Sequence, residues 1–126
     1  MKEINECGVL VENLEKSAIN LGITKNLIKA EALKVFNSVG IKHITSNGPF
    51  VYILINSFYG KDRDVVYNLS VRLIDHIAYD DDFVQVTVWQ RNYLAVTGSK
   101  TGKSHILESL NLLLDAFKAN YIAGRN

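Results

Sequence analysis

The segment formed by residues 98–104, Gly-Ser-Lys-Thr-Gly-Lys-Ser, has the residue types that come nearest to a known chemistry. It lies between a predicted strand and a predicted helix, as does the phosphate-binding loop of nucleotide-binding proteins. That loop has four residues between its first glycine and its Gly-Lys pair, whereas only three residues separate Gly98 from Gly102 here. We interpret the segment as a solvated strand-to-helix loop. Weak anion binding by Gly98, Gly102, Lys103 and Ser104 is the alternative.

Acidic and imidazole side chains are the next candidates for chemistry. Three consecutive aspartates occupy residues 80–82, in what reads as a tight hairpin turn. Calcium needs about six or more oxygens from a bent loop, so a charged turn is favoured over a metal site. The histidines are far apart in sequence, without the spacing of a metal-binding pair: His43, His76 and His105.

Cys7 is the single cysteine, so it can form neither an internal disulfide nor a zinc site by itself. A catalytic thiol or hydroxyl needs a base beside it, and no histidine lies near Cys7 in sequence. We expect a small buried thiol, and we predict no catalytic residue, no metal and no cofactor.

Three long β-runs occupy residues 49–97. They read PFVYILINSFYG, DVVYNLSVRLIDHIAY and FVQVTVWQRNYLAVT, rich in β-branched and aromatic residues. The breaks are too short for a parallel crossover, so these strands should be antiparallel neighbours. We expect hairpin turns at 60–63 and 79–82, a bulge or turn at Asn92, and a last short strand over 93–96.

Two amphipathic helices flank these runs, together with short strands at residues 7–14 and 41–45. The first helix should follow Thr24 as its N-cap and end at Gly40. The second should begin at Ser104, with an apolar stripe at helical spacing: Ile106, Leu110, Leu113, Phe117 and Tyr121. The order β-α-β-β-β-β-α predicts one α+β domain over residues 1–126. Its architecture should be a two-layer sandwich with both helices on one face of a mostly antiparallel sheet.

Alternation along the strands predicts which face lies beneath the helices. The aliphatic positions should face the helices: Leu69, Val71, Leu73, Val84, Val86 and Val88. The opposite face should carry the candidate interaction surface: Trp89, Thr87, Gln85, Arg72, Tyr52 and Phe58. Exposed apolar and aromatic side chains of this kind mark contact sites.

Length and charge exclude some classes of partner. The 126 residues fit one domain, and a net charge of +1 with scattered lysines and arginines gives no electrostatic footprint for nucleic acid. No apolar run approaches the ~20 residues of a membrane-spanning helix. The sequence also contains no stretch typical of a signal peptide.

The chain resembles a set of small uncharacterised bacterial single-domain proteins that are usually made with an export signal. The resemblance rests on VLVENL, LGITKNLIKAEALKVFNSVGI, PFVYILI, VVYNLSVRL, VTVWQ and SLNLLLDAFKANYIAGRN. If an upstream signal was removed, we expect a periplasmic protein, and otherwise a cytoplasmic one. The resemblance itself implies an exported, single-domain product. It carries no known activity.

From these features we expect a non-enzymatic protein-interaction or assembly domain. It should bind itself, as a homodimer, or another protein through the open sheet face or an edge strand. The alternative is a small-molecule or phosphate-binding protein or enzyme. Its pocket would lie between sheet and helices or at residues 98–104.

Overall fold

The computed structural model describes residues 4–124, which form a five-stranded sheet and three helices. The strands are β1 (Glu6–Val11), β2 (Lys42–His43), β3 (Phe50–Tyr59), β4 (Val65–Tyr79) and β5 (Asp82–Thr97). The helices are α1 (Lys16–Asn20), α2 (Lys25–Val39) and α3 (Gly102–Gly124). This is the α+β fold and element order expected from the sequence, with the short α1 in addition.

The sheet has the order β2-β1-β3-β4-β5 and is mixed. β3, β4 and β5 are antiparallel neighbours, as their short connections require. β1 runs parallel to both β2 and β3, because α2 crosses over the sheet between β1 and the strands that follow. The sheet is therefore antiparallel in its long strands and parallel at the β1 side.

Local sequence sets both ends of α2. The Thr24 hydroxyl accepts a hydrogen bond from the Leu27 amide at 3.1 Å, and Gly40 ends the helix in a left-handed conformation with φ of 77°. That conformation is unfavourable for residues that have a Cβ atom, so glycine is the appropriate residue there. Both predicted ends of this helix are confirmed.

The second long helix, α3, begins at Gly102, earlier than predicted. The Ser104 hydroxyl donates to the Thr101 carbonyl at 3.0 Å instead of accepting from a backbone amide, so Ser104 is not the cap. The predicted apolar stripe is confirmed, since all five of its side chains are buried: Ile106, Leu110, Leu113, Phe117 and Tyr121.

The core lies between the sheet and the helices, which pack on the same face of the sheet. Phe117 contacts the rings of Phe36 and Tyr121 from the helix layer, at centroid distances of 6.3 and 6.4 Å. Below them lie fully buried strand residues such as Ile53 and Leu69. Burial of this apolar area is the main source of stability.

One irregularity interrupts the antiparallel ladder. Leu73 pairs with Trp89 and Ile74 pairs with Thr87, so Val88 is an extra residue of β5, a β-bulge. The sequence predicted a bulge or turn at Asn92 and a separate strand at 93–96, which is wrong because β5 runs unbroken from Asp82 to Thr97. From Trp89 onward, each side chain of β5 therefore lies on the face opposite to the one that regular alternation from Thr87 would give it.

Replacing Thr24 with alanine removes the side-chain acceptor of the Leu27 amide and should lower the free energy of unfolding by about 1 kcal/mol. Urea denaturation monitored by circular dichroism measures the change. Thr45→Ala is the matched control, because Thr45 is exposed and its hydroxyl has no hydrogen-bond partner among residues 4–124. Equal losses in the two variants would contradict the capping role.

Candidate functional site

The sheet face turned away from the helices, called the open face below, is the surface that the fold leaves uncovered. Strand register defines its rows. Tyr52 lies opposite Arg72, and Phe58 lies opposite Val66. The predicted surface residues Thr87 and Gln85 lie on this face, opposite Ile74 and His76. Five of the six predicted interaction residues therefore share the open face; Trp89 does not.

An apolar patch, formed by Phe58, Val66, Leu94 and Val96, occupies the end of the open face near the β3–β4 hairpin. Phe58, Val66 and Val96 follow one another across three strands, and Leu94 lies in the next row opposite Asn68. Leu94 is 74% exposed and Phe58 is 61% exposed. Contiguous exposed apolar side chains of this size are typical of interaction surfaces.

A polar band crosses the open face next to the patch. The Tyr52 hydroxyl donates a hydrogen bond to the Glu12 carboxylate, and Arg72 donates to the Ser70 hydroxyl at 3.2 Å. The hydrogen bond from Tyr52 lowers the pKa of Glu12, and the same contact raises the pKa of Tyr52. Glu12 is therefore held in its charged form, and Glu12 and Arg72 bring opposite charges to this face.

Trp89 lies on the other face of the sheet, so its predicted place on the open face is wrong. It is 8% exposed and packs edge-on against Phe117 at 5.5 Å, with the Arg91 guanidinium 5.3 Å from its ring centre. The reason is the bulge: in a regular strand Trp89 would share the face of Thr87, but the extra Val88 turns it inward. Its indole Nε1 is buried without a hydrogen-bond partner among residues 4–124.

Part of the predicted helix-facing side of β5 is wrong for two reasons: Val88 is the extra residue of the bulge, and Val84, opposite Ile77, lies where the β4–β5 hairpin extends past β3. Val84 and Val88, predicted to lie under the helices, are exposed. β3 pairs with β4 only as far as Phe50 and Ile74, so residues 75–86 form a two-stranded hairpin arm that extends past β3. Phe83 and Tyr79 are exposed there, at 73% and 67%. An isolated two-stranded ribbon is marginally stable in water.

The loop at residues 98–104 is explained in part by packing. A Cβ atom on Gly102 would lie 2.7 Å from the methyl carbons of Leu21, so glycine allows the start of α3 to approach the segment after α1. The stem of Lys103 lies along Gly22, and its side chain is exposed. The anion-binding interpretation of Gly98, Gly102, Lys103 and Ser104 stays a prediction.

A polar cluster between β4 and α3 was missed by the sequence analysis. The Tyr67 hydroxyl contacts His105 Nδ1 at 2.8 Å and the Ser109 hydroxyl at 2.7 Å. Ser109 donates to the carbonyl of His105 in its own helix at 3.0 Å. The Tyr67 hydroxyl thus lies between the Ser109 hydroxyl and the His105 imidazole. These hydrogen bonds connect the sheet, through β4, to the helix layer, through α3. The i, i+4 spacing of His105 and Ser109 could have indicated that these two side chains lie next to each other on one face of the helix.

No group of three or more histidine, cysteine or acidic side chains positioned to hold a metal ion occurs within residues 4–124. The aspartates at 80–82 form the predicted hairpin turn, where Asp80 adopts a left-handed conformation with φ of 53°. None of the helices in the described part of the chain has the length and hydropathy of a membrane span.

Trp89→Ala should lower the free energy of unfolding by about 3–5 kcal/mol, because it removes a buried ring from between the sheet and Phe117. Urea denaturation of a dilute sample measures the loss. Leu94→Ala, a change on the open face five strand positions further from the bulge, should stay within about 0.5 kcal/mol. Similar losses for both variants would show that Trp89 is not part of the core.

Cys7 should react with Ellman's reagent only when the protein unfolds. The thiol is fully buried, and burial raises its pKa to about 12, with an opposing backbone hydrogen bond at Val51 and a smaller contribution from Asp75. The unfolded thiol ionises near its ordinary pKa of about 8.5. The contribution of Cys7 to the free energy of unfolding is therefore fully present below that pH and falls progressively above it, because only the unfolded thiol loses its proton there. The Cys7→Ala variant should lose that part of the pH dependence. Rapid labelling of native protein at about pH 8 would contradict the burial of the thiol.

Comparison with known proteins adds information on the fold. No protein-family model and no curated protein matches this chain. Among solved structures, a minor lipoprotein from Acinetobacter baumannii is similar with a TM-score of 0.45 and 12% identity, over 99% of this chain and 96% of that chain. A PelC variant from Paraburkholderia phytofirmans, crystallised as a dodecamer, is similar with a TM-score of 0.51 and 16% identity, over 90% of this chain and 86% of that chain. Both are bacterial proteins, and at these identities the likeness to PelC concerns the fold alone.

Proposed function

We propose that this chain is a non-enzymatic assembly domain that associates with a second copy of itself through the open face of its sheet. The observation that carries the proposal is the apolar patch, where Leu94, Phe58 and Val96 are each more than half exposed. Removing such side chains from water is the dominant favourable contribution to protein association.

The charge of the open face suits contact between identical surfaces. In a two-fold dimer the same face is presented by both copies, so a face of one charge sign would repel itself. Here Glu12 and Arg72 have opposite signs, and the rows of the open face from Arg72 to the apolar patch carry uncharged amides: Asn56, Asn68, Gln90 and Asn92. Amides both donate and accept hydrogen bonds, so two such bands are able to pair with each other.

The free edge of β5 offers an alternative element for self-association, in which two sheets join side by side instead of face to face. β5 has 16 residues and pairs only with β4, which leaves its outer backbone groups available. Edge strands are commonly protected from pairing by lysine or proline, and β5 contains neither. Its charged residues are Asp82, at the start of the strand, and Arg91, three residues after the bulge residue Val88. A second β5 running antiparallel brings the two apolar patches together only if the strands pair at the end that carries Leu94 and Val96.

The structural comparison is compatible with this proposal. The PelC variant of similar fold was crystallised as a dodecamer, so a chain of this architecture is able to assemble with copies of itself. An exported, periplasmic location is part of the proposal through the resemblance to exported bacterial proteins.

Sedimentation equilibrium over a concentration series tests self-association. The unmodified chain should be dimeric or larger at micromolar concentration, and Leu94→Glu should raise the dissociation constant by about tenfold or more, because a charge would be buried in the apolar patch. Leu112→Glu is the matched control, since Leu112 is similarly exposed, at 59%, on α3.

Two outcomes would contradict the proposal: a monomer at every concentration, or equal weakening by the two glutamate variants. Backbone amide exchange then distinguishes the two modes of self-association. Pairing through β5 should protect its outward amides on association, whereas contact through the face alone leaves them exchanging at the monomer rate.

A further inference from the structure

A solvent-open cleft of about 320 Å³ lies at the β1 side of the sheet, at the opposite end of the open face from the apolar patch. It is formed where the chain leaves the short β2 and passes in front of β1 through residues 44–49. Its volume falls within the usual range of small-molecule sites, roughly 300–1,000 Å³. None of the contacts proposed above for self-association involves it.

Local geometry explains why the cleft exists. β2 pairs with only Glu6 and Cys7 of β1, so the rest of β1 has no strand beside it on this side. The chain after β2 then lies close to Gly8, where a Cβ atom would be 3.3 Å from the carbonyl oxygen of Ile44 and 3.3 Å from the Cβ of Phe50. Glycine at this position permits the loop to form the wall of the cleft.

The charged and polar lining favours an anion. Lys29 from α2, His43 from β2 and His76 from β4 all line the cleft, and no acidic side chain is among the described residues that do so. Lys29 and His43 have no hydrogen-bond or ion-pair partner among residues 4–124. Both are half-buried, so their polar groups are available in a site that partly excludes water. Such a setting strengthens charge-assisted hydrogen bonds.

A neighbouring cavity extends the cleft with an apolar wall. It has a volume of about 410 Å³, shares Asn47, Gly48 and His76 with the cleft, and is lined on its other side by Phe83 of the hairpin arm. The Phe50 ring lies 6.4 Å from the His76 ring inside the cleft. A ligand that occupies both cavities would meet the Lys29 ammonium and the His43 imidazole at one end and aromatic rings at the other.

We propose that this cleft binds a small organic anion with an aromatic or aliphatic body. Lys29 and His43 bind the anionic group, Phe50 and His76 contact the body, and Phe83 lines the far end. Binding at this site is independent of self-association through the apolar patch, so either proposal can fail without the other.

Isothermal titration calorimetry of the 126-residue chain with phenyl phosphate and with benzoate tests the proposal. At least one of these anions should bind saturably with a Kd in the millimolar range or tighter, and benzamide, a neutral molecule of the same shape as benzoate, should bind about tenfold more weakly or not at all. Inorganic phosphate should bind more weakly than phenyl phosphate, because it makes no contact with the aromatic wall.

Three variants locate the binding. Lys29→Gln should weaken anion binding by about tenfold, and Lys29→Arg, which keeps the charge, should retain it. Lys34→Gln is the matched control on the same helix, since Lys34 pairs with Glu31 at 3.2 Å and does not line the cleft. The proposal is overturned if neither anion binds, if benzamide binds as well as benzoate, or if Lys34→Gln weakens binding as much as Lys29→Gln does.

Discussion

The contact between Trp89 and Phe117 is the interaction on which the two-sided character of this domain depends. It requires the indole of β5 to lie beneath α3, 5.5 Å from the phenyl ring, although the alternation of the strand before it points Thr87 and Gln85 away from the helices. The bulge at Val88 allows both, because the extra residue lets Trp89 face the helices while Thr87 and Gln85 face away from them. On one side of Val88 the strand contributes to the core through Trp89, Tyr93 and Ala95, and on the other it leaves the core and forms the hairpin arm.

This change of alternation also explains which parts of the structure could be predicted from the sequence. The helices were predictable because their stripes, the Thr24 cap and the Gly40 terminus are local features that the chain satisfies within a few residues. The antiparallel pairing of β3, β4 and β5 was predictable from the length of the connections. The side occupied by Trp89 was not, because one inserted residue reverses the side of each residue after it. Nothing in the run TVWQRN marks Val88 as that residue.

The candidate sites also divide into those that local sequence patterns predict and those that depend on contacts between distant parts of the chain. Open-face residues such as Phe58 and Arg72 were assigned to their face correctly, because the strands that carry them are regular. The link among Tyr67, His105 and Ser109 joins residues about forty positions apart, and the cleft joins α2, β2 and β4. Such groupings depend on strand order, and the parallel position of β1 was not anticipated. The glycines of residues 98–104 left weak anion binding open as the alternative to a solvated loop, and packing explains one of them, since Gly102 is required by its approach to Leu21.

The fold therefore places the two proposed sites on separate parts of its surface. The helix layer is closed against the sheet by a continuous core, which leaves the open face with its apolar patch at one end and a cationic cleft at the other. The pattern fits a domain whose sheet makes protein contacts while its β1 side remains accessible to a small ligand. Both proposed roles need the sheet to stay rigid, and burial of strand residues such as Ile53 and Leu69 provides that rigidity.

Hydroxyl-radical footprinting, read by mass spectrometry at low and high protein concentration, reports the solvent exposure of individual side chains and so tests both the inward position of Trp89 and the burial of the apolar patch on association. Our prediction is that Trp89 is protected at both concentrations, and that Phe58 and Leu94 are oxidised in dilute protein but protected in concentrated protein. Oxidation of Trp89 in dilute native protein as fast as that of the exposed Phe83, or oxidation of Phe58 and Leu94 that does not change with concentration, would contradict it.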